Sequence, residues 1–220
     1  MTDRITTSDL KQMLLHAAQC LRRQAGELSR LDSVAGDGDH GTTMVRVADQ
    51  FEAAVNDPAS QNPAALLQNC GWKVLNVDGG ASSALFGTFF KGMGEGAGES
   101  DPDCEAVAAI FASGLNAILK QTPARAGDKT MIDALEPAVA AVGRTAAAGD
   151  PIPLALEAAA AAALKGADAT KNLVARYGRA KFLGEKTIGH ADAGATSVAL
   201  IFQGFSEALM ARREINHGRQ

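Results

Sequence analysis

The chain has 220 residues, 46% hydrophobic, 21% charged and only 5% aromatic, with 21 Lys+Arg against 25 Asp+Glu for a formal net charge of -4. That apolar content excludes a disordered chain, while scarce positive charge and three scattered cysteines exclude a strongly basic nucleic-acid binder and a disulfide mini-protein. Alanine makes up about a fifth of the sequence, including a run from Ala158 to Ala163, and alanine is the best helix former, so one core of closely packed helices is expected over residues 1–220.

In chain order, Leu10, Met13, Leu14, Ala17, Leu21, Ala25 and Leu28 recur at helical spacing after Ser8 or Asp9, either of which could cap the first turn. The same spacing predicts helices over about 42–56, 63–77, 81–96, 103–120, 130–148, 152–176 and 195–213. That makes about eight, with no convincing strand. Trp72 reads as a packing residue on a helix face. Cys20, Cys70 and Cys104 form no C-x-x-C and read as reduced thiols. The N-terminus has no apolar leader and no 18-residue uncharged apolar stretch follows. The expectation is a soluble cytoplasmic protein with neither membrane nor nucleic acid as a partner.

The connections between these helices are of two kinds. Residues 56–63, 96–102 and 149–153 are ordinary Gly/Asp/Pro turns. Residues 31–41 (LDSVAGDGDHG), 78–83 (DGGASS), 121–130 (QTPARAGDKT) and 178–194 (GRAKFLGEKTIGHADAG) hold most of the clustered Gly, Asp, His, Ser and Thr. Short connections make successive helices antiparallel neighbours, so alternate loops emerge at the same end of a bundle or closed barrel. All four chemically loaded loops fall on one end. One composite site is therefore predicted at the mouth of an antiparallel eight-helix barrel.

Asp32, Asp37 and Asp39 crowd three carboxylates into one short loop that contains no Lys or Arg. A divalent cation relieves their repulsion, and all-oxygen ligands favour magnesium, calcium or manganese over zinc. The bland alternative is a solvated, Asp-rich turn. Gly36-x-Gly38-x-x-Gly41 matches a dinucleotide fingerprint literally, but no strand precedes it and its aspartates would repel a bare pyrophosphate. EF-hand spacing and a complete Walker A motif are both absent. Thr42 and Thr43, then Gly79, Gly80, Ala81, Ser82 and Ser83, Lys129 with Thr130, and Asp192-Ala193-Gly194 all stand at predicted helix starts. Helix N-termini bind anionic oxygens, so metals, dipoles and hydroxyls together point to phosphoryl transfer. For any single Ser or Thr, simple capping explains it equally well. His40 and His190 are read either as exposed or capping residues, or as nucleotide contacts and supports for an aspartate.

Four motifs in this order, Leu31-Asp32 with Gly36-Asp37-Gly38-Asp39-His40-Gly41, Gly79-Gly80-Ala81-Ser82, Gly127-Asp128-Lys129-Thr130-Met131, and Gly178-Arg179-Ala180 through Gly189-His190 to Asp192, Gly194-Ala195-Thr196-Ser197, resemble the L subunit of dihydroxyacetone kinases. The resemblance spans essentially the whole chain. It implies a barrel of eight antiparallel helices with ATP or ADP across one end and two magnesium ions held by Asp32, Asp37 and Asp39. By the same resemblance, His40, Gly41, Thr42, Thr43, Gly80, Ala81 and Ser82 line the phosphate and ribose side. Gln121, Gly127, Thr130, Met131, Arg179, Asp192, Ala193 and Gly194 would enclose the rest of the nucleotide. The family binds its ketose on a separate K subunit or domain, so a K-subunit partner is implied, with a phosphohistidine carrier in the members that keep ADP as a coenzyme. A homodimer or hetero-oligomer is expected. Ser83-Ala84 and Ala193 depart from the Gly-Pro and Pro common in the family, and Thr42-Thr43 leans toward a member that consumes ATP. The competing class is a nucleotide-dependent interaction module without ketose chemistry.

Overall fold

The computed structural model describes residues 4–217, with side chains described as far as Arg212. Among them run nine α-helices: α1 (Thr7–Arg23), α2 (Ala25–Asp32), α3 (His40–Val55), α4 (Pro63–Leu75), α5 (Gly80–Gly96), α6 (Cys104–Gln121), α7 (Ile132–Ala147), α8 (Ile152–Ala169) and α9 (Ala193–His217). Two 3-10 segments, Thr170–Asn172 and Arg179–Thr187, lie between α8 and α9. Extended pairing among the described residues is limited to one antiparallel bridge, Arg4 with Asp103. No described helix is long and apolar enough to cross a membrane.

Leaving α2 aside, each helix packs on the next and α9 returns to pack on α1, so eight helices close into a ring. This is the expected antiparallel all-α barrel. The ring is filled by aromatic side chains. Seven of the eight phenylalanines are buried; Phe51–Phe90 and Phe89–Phe90 meet edge to face with centroids 4.9 and 5.5 Å apart, and Phe111–Phe202 lie tilted at 5.4 Å. Alanines make the walls thin: α8 buries Ala155, Ala159, Ala163 and Ala167. At Gly166 a Cβ would stand 2.2 Å from the Asp133 carbonyl oxygen, so α7 and α8 touch backbone to backbone there.

Three of the four far-end helices begin with a side-chain cap, α8 being the exception, whereas α3 and α5 at the near end do not. At the far end, Thr6 and Asp9 form a capping box on α1, Asn62 accepts from the Ala65 N–H at 2.8 Å ahead of α4, and Asp103 accepts from the Ala106 N–H at 3.1 Å ahead of α6. At the near end, α3 and α5 start from Asp39 and Gly79 with no side-chain cap.

Four sequence expectations change. Thr6, not Ser8 or Asp9, caps the first helix, and Asp9 is its reciprocal partner. The helix expected through Leu28 breaks at Gln24 (φ -106°, ψ 9°), so α2 is a separate short element against α3 and α9. The helix expected to residue 176 ends at Ala169, where long-range partners take over its backbone. Trp72 is 55% exposed, with the Lys91 ammonium 5.4 Å from its ring centroid, because the outer face of α4 has no neighbour at that point.

Candidate functional site

The loop after α2 folds around its own first carboxylate. The Asp32 carbonyl accepts from the N–H groups of Ala35 (3.0 Å) and Gly36 (2.6 Å), and its Oδ2 accepts from the Gly38 N–H at 2.9 Å. A Cβ at Gly36 would stand 2.3 Å from Asp32 Oδ1, so any larger residue there would have to displace that carboxylate. The wrapping brings carboxylate oxygens of Asp32, Asp37 and Asp39 within 4.8 Å of one another. Arg179, far along the chain, forms an ion pair with Asp37. Its hydrogen bond holds the Asp37 carboxyl below the ordinary aspartate range, while desolvation and the Asp37 charge push Asp39 up.

His40 opens α3 and is 5% exposed. Its Nε2 lies 2.8 Å from Ser197 Oγ on α9, and its Nδ1 lies 3.3 Å from Ser82 Oγ at the start of α5. Burial lowers its pKa, against the pull of Asp32, so the ring is neutral and joins three helices as one donor and one acceptor. Next to it, Gly41 would place a Cβ 1.9 Å from the Ala25 carbonyl oxygen. It is the point where α3 crosses α2.

Three further loops complete the rim. Ser83 Oγ donates to the carbonyls of Val77 (2.9 Å) and Gly80 (3.2 Å), shaping the turn into α5. Arg46 donates to the Asp78 carbonyl at 2.8 Å. In residues 122–131, Asp133 reaches back from α7, accepting from the N–H of Gly127 at 2.6 Å and of Thr130 at 2.8 Å. Asp128 accepts from the Arg125 N–H at 2.8 Å. Asp192 Oδ2 accepts from the Ala195 N–H at 2.7 Å, capping α9. Burial pushes the Asp192 carboxyl up to about 6, against that N–H and the Lys129 charge.

These loops enclose an open cavity of about 720 Å³. Its walls include Asp32, Asp37, Asp39, His40, Thr43, Gly80, Ala81, Ser82, Thr130, Met131, Arg179, Asp192, Ala193 and Gly194. Gly41, Thr42, Gln121 and Gly127, also singled out from the sequence, do not line it. Gly41 instead packs α3 on α2, and Gly127 supplies a loop N–H to Asp133. Arg46 and Asp133 were not singled out from the sequence. For Asp133 the signal was available in Thr130-x-x-Asp133, a capping-box spacing at a helix start. The Asp32, Asp37 and Asp39 carboxylates, the starts of α3 and α5 without side-chain caps, and the Arg46 and Arg179 guanidiniums at a single mouth can hold a polyanion together with its metal counter-ions.

Residues 34–207 match the family model described as the DAK2 domain. The chain belongs to this family. Among curated relatives, the chain is 36% identical over 80% of its length to the PEP-dependent dihydroxyacetone kinase 1 ADP-binding subunit DhaL of Listeria innocua, covering 83% of that protein. It is 32% identical over 90% of its length to the corresponding ADP-binding subunit DhaL of Escherichia coli, covering 95% of it. A D-erythrulose kinase of Mycolicibacterium smegmatis is 36% identical over 83% of this chain, which spans 32% of that longer enzyme. In structure, the chain is similar to the dihydroxyacetone kinase of C. freundii in complex with AMP-PNP and Mg2+. The TM-score is 0.69 at 26% identity, over 94% of this chain and 35% of that one.

Proposed function

We propose that this chain is the nucleotide-binding component of a dihydroxyacetone-type kinase, holding ATP or ADP with two magnesium ions at the cavity mouth. A separate K subunit would present dihydroxyacetone or a related small ketose to it. The observation that carries the reading is the set of Asp32, Asp37 and Asp39 oxygens within 4.8 Å of one another beside two helix starts without side-chain caps. The relatives' names and the AMP-PNP and Mg2+ complex of the structural neighbour support it.

The residues suit the metal: all donors are hard carboxylate oxygens, and Gly36 leaves the space beside Asp32 Oδ1 unfilled by a Cβ. Magnesium at these carboxylates supplies positive charge against the phosphate oxygens. The chain's own groups do the rest by positioning. The first turns of α3 and α5 offer backbone N–H groups to anionic oxygens. Neutral His40 holds the hydroxyls of Ser82 and Ser197 in fixed directions without adding charge. Arg179, paired with Asp37, is the cation placed to share its charge with a terminal phosphate.

The test is nucleotide content and turnover. The purified protein is assayed for bound ADP or ATP, then combined with a K subunit, dihydroxyacetone and either ATP or a phosphohistidine carrier. Phosphorylated ketose with one of the two donors is the expected result, and retained ADP that turns over only with the carrier assigns the coenzyme mode. No nucleotide binding in the presence of magnesium, together with no transfer from either donor, would refute the reading.

A further inference from the structure

Lys129 has φ 60°, and among the described residues it is the only non-glycine residue with positive φ. Glycine would hold that backbone conformation without steric cost, so a lysine there points to a use for its side chain. The side chain turns inward and the residue is 6% exposed. Its Nζ donates to two carbonyls, Thr170 O at 2.5 Å and His190 O at 2.6 Å.

Those carbonyls lie at the two ends of one excursion, residues 170–190, which leaves α8 and returns just before α9. Its neck is closed further by the Gly189 N–H on the Lys171 carbonyl at 2.8 Å and the Asp192 N–H on Thr170 Oγ1 at 2.9 Å. Between the ends the chain forms 3-10 turns and irregular backbone, and it carries Arg179 out to Asp37. A second tie binds the same loop pair, from the Arg176 N–H to the Asp128 carbonyl at 3.2 Å. A buried ammonium on two carbonyls is hard to replace, because water cannot reach the groups left behind.

We propose that Lys129 is a positioning residue, clamping the neck of the 170–190 excursion so that Arg179 is held over the carboxylate loop, at the phosphate end of the cavity. This rests on the nucleotide reading of that cavity. Lys129 touches no phosphate in this scheme and acts through Arg179.

The test uses two variants with opposite side effects. Lys129→Gly removes the ammonium and relieves the positive φ but leaves a void; Lys129→Met removes the ammonium and fills the void but keeps the backbone cost. Each is made alone and with Arg179→Ala, and Mg-ADP affinity is measured by calorimetry. Both single variants are expected to weaken Mg-ADP by about tenfold, and to add less than about twofold when Arg179 is already alanine, as coupled residues do. A parallel measurement without nucleotide follows tryptic cleavage at Arg176, Arg179, Lys181 and Lys186, expected to quicken about tenfold while the rest of the barrel stays resistant.

Losses that simply multiply in the double variants, or loop cleavage at the wild-type rate, would overturn the proposal. Arg179→Ala that binds Mg-ADP as tightly as wild type would overturn it together with the assigned role of Arg179. Wild-type protein that binds no Mg-ADP refutes the nucleotide reading itself, and the cleavage rates then decide the clamp on their own.

Discussion

Replacing Asp133 by alanine removes the acceptor for two backbone N–H groups, those of Gly127 at 2.6 Å and Thr130 at 2.8 Å. Hydrogen bonds to a charged acceptor contribute about 1.5–3 kcal/mol each. Gly127 is exposed, so water takes over part of its bond, whereas the Thr130 N–H lies at the half-buried start of α7. The expected loss is about 2–3 kcal/mol in all, below the full sum of about 3–6 kcal/mol because water compensates the exposed donor. For a chain of this size each kcal/mol moves the melting temperature by about 2–4 °C, giving a drop of about 4–12 °C. Asp133→Asn keeps one acceptor and turns an amide NH2 toward the other donor, so its melting temperature falls between the two. Thermal unfolding followed by circular dichroism at pH 7, without nucleotide, reads the effect. A melting temperature of Asp133→Ala within about 1 °C of wild type would show that this carboxylate does not organise the loop.

Gly166→Ala should lower the urea midpoint with an unchanged m-value. Alanine's gain in helix propensity is about 1 kcal/mol, smaller than the cost of a Cβ placed 2.2 Å from the Asp133 carbonyl. Asp192→Asn should flatten the pH dependence of stability between 3.8 and about 6. The folded carboxyl keeps its proton to about 6 against 3.8 for an ordinary aspartate, so its contribution is full at low pH and is lost as pH rises through 6. Urea titrations at pH 4, 5, 6 and 7 test this, and equal slopes in both proteins would contradict the shift. Phe182→Ser should change stability by less than about 0.5 kcal/mol, since Phe182 is 82% exposed and is the one phenylalanine that is not buried.

The barrel was legible because its signals are local. Apolar residues recur every third or fourth position along each helix, and the far-end turns are marked by Pro and Asp. The grouping of carboxylates, glycines and hydroxyls at one end followed from the parity of the loops alone. What escaped the sequence is set by distant contacts. The break at Gln24 is hidden because helical spacing continues through Leu28, and the residue after it, Ala25, is the one α3 crosses at Gly41. The end of α8 at Ala169 follows an alanine-rich stretch with no Gly or Pro at the stop. There the Thr170 carbonyl is taken by Lys129, 41 residues away. Arg179 was assigned to the nucleotide by resemblance, but its pairing with Asp37 depends on a fold-back that no periodicity carries.

The proposed function requires Asp32, Asp37 and Asp39 to let this acidic chain bind an anionic nucleotide through magnesium. The most direct test is the melting temperature of wild type, Asp37→Ala and Asp39→Ala with ADP, with and without magnesium. Ligand at 100 times its Kd stabilises by about 2.7 kcal/mol, or about 5–11 °C here. That rise is expected for wild type only when ADP and magnesium are both present, and is expected to vanish in each variant. An equal magnesium-dependent rise in both variants would contradict that requirement.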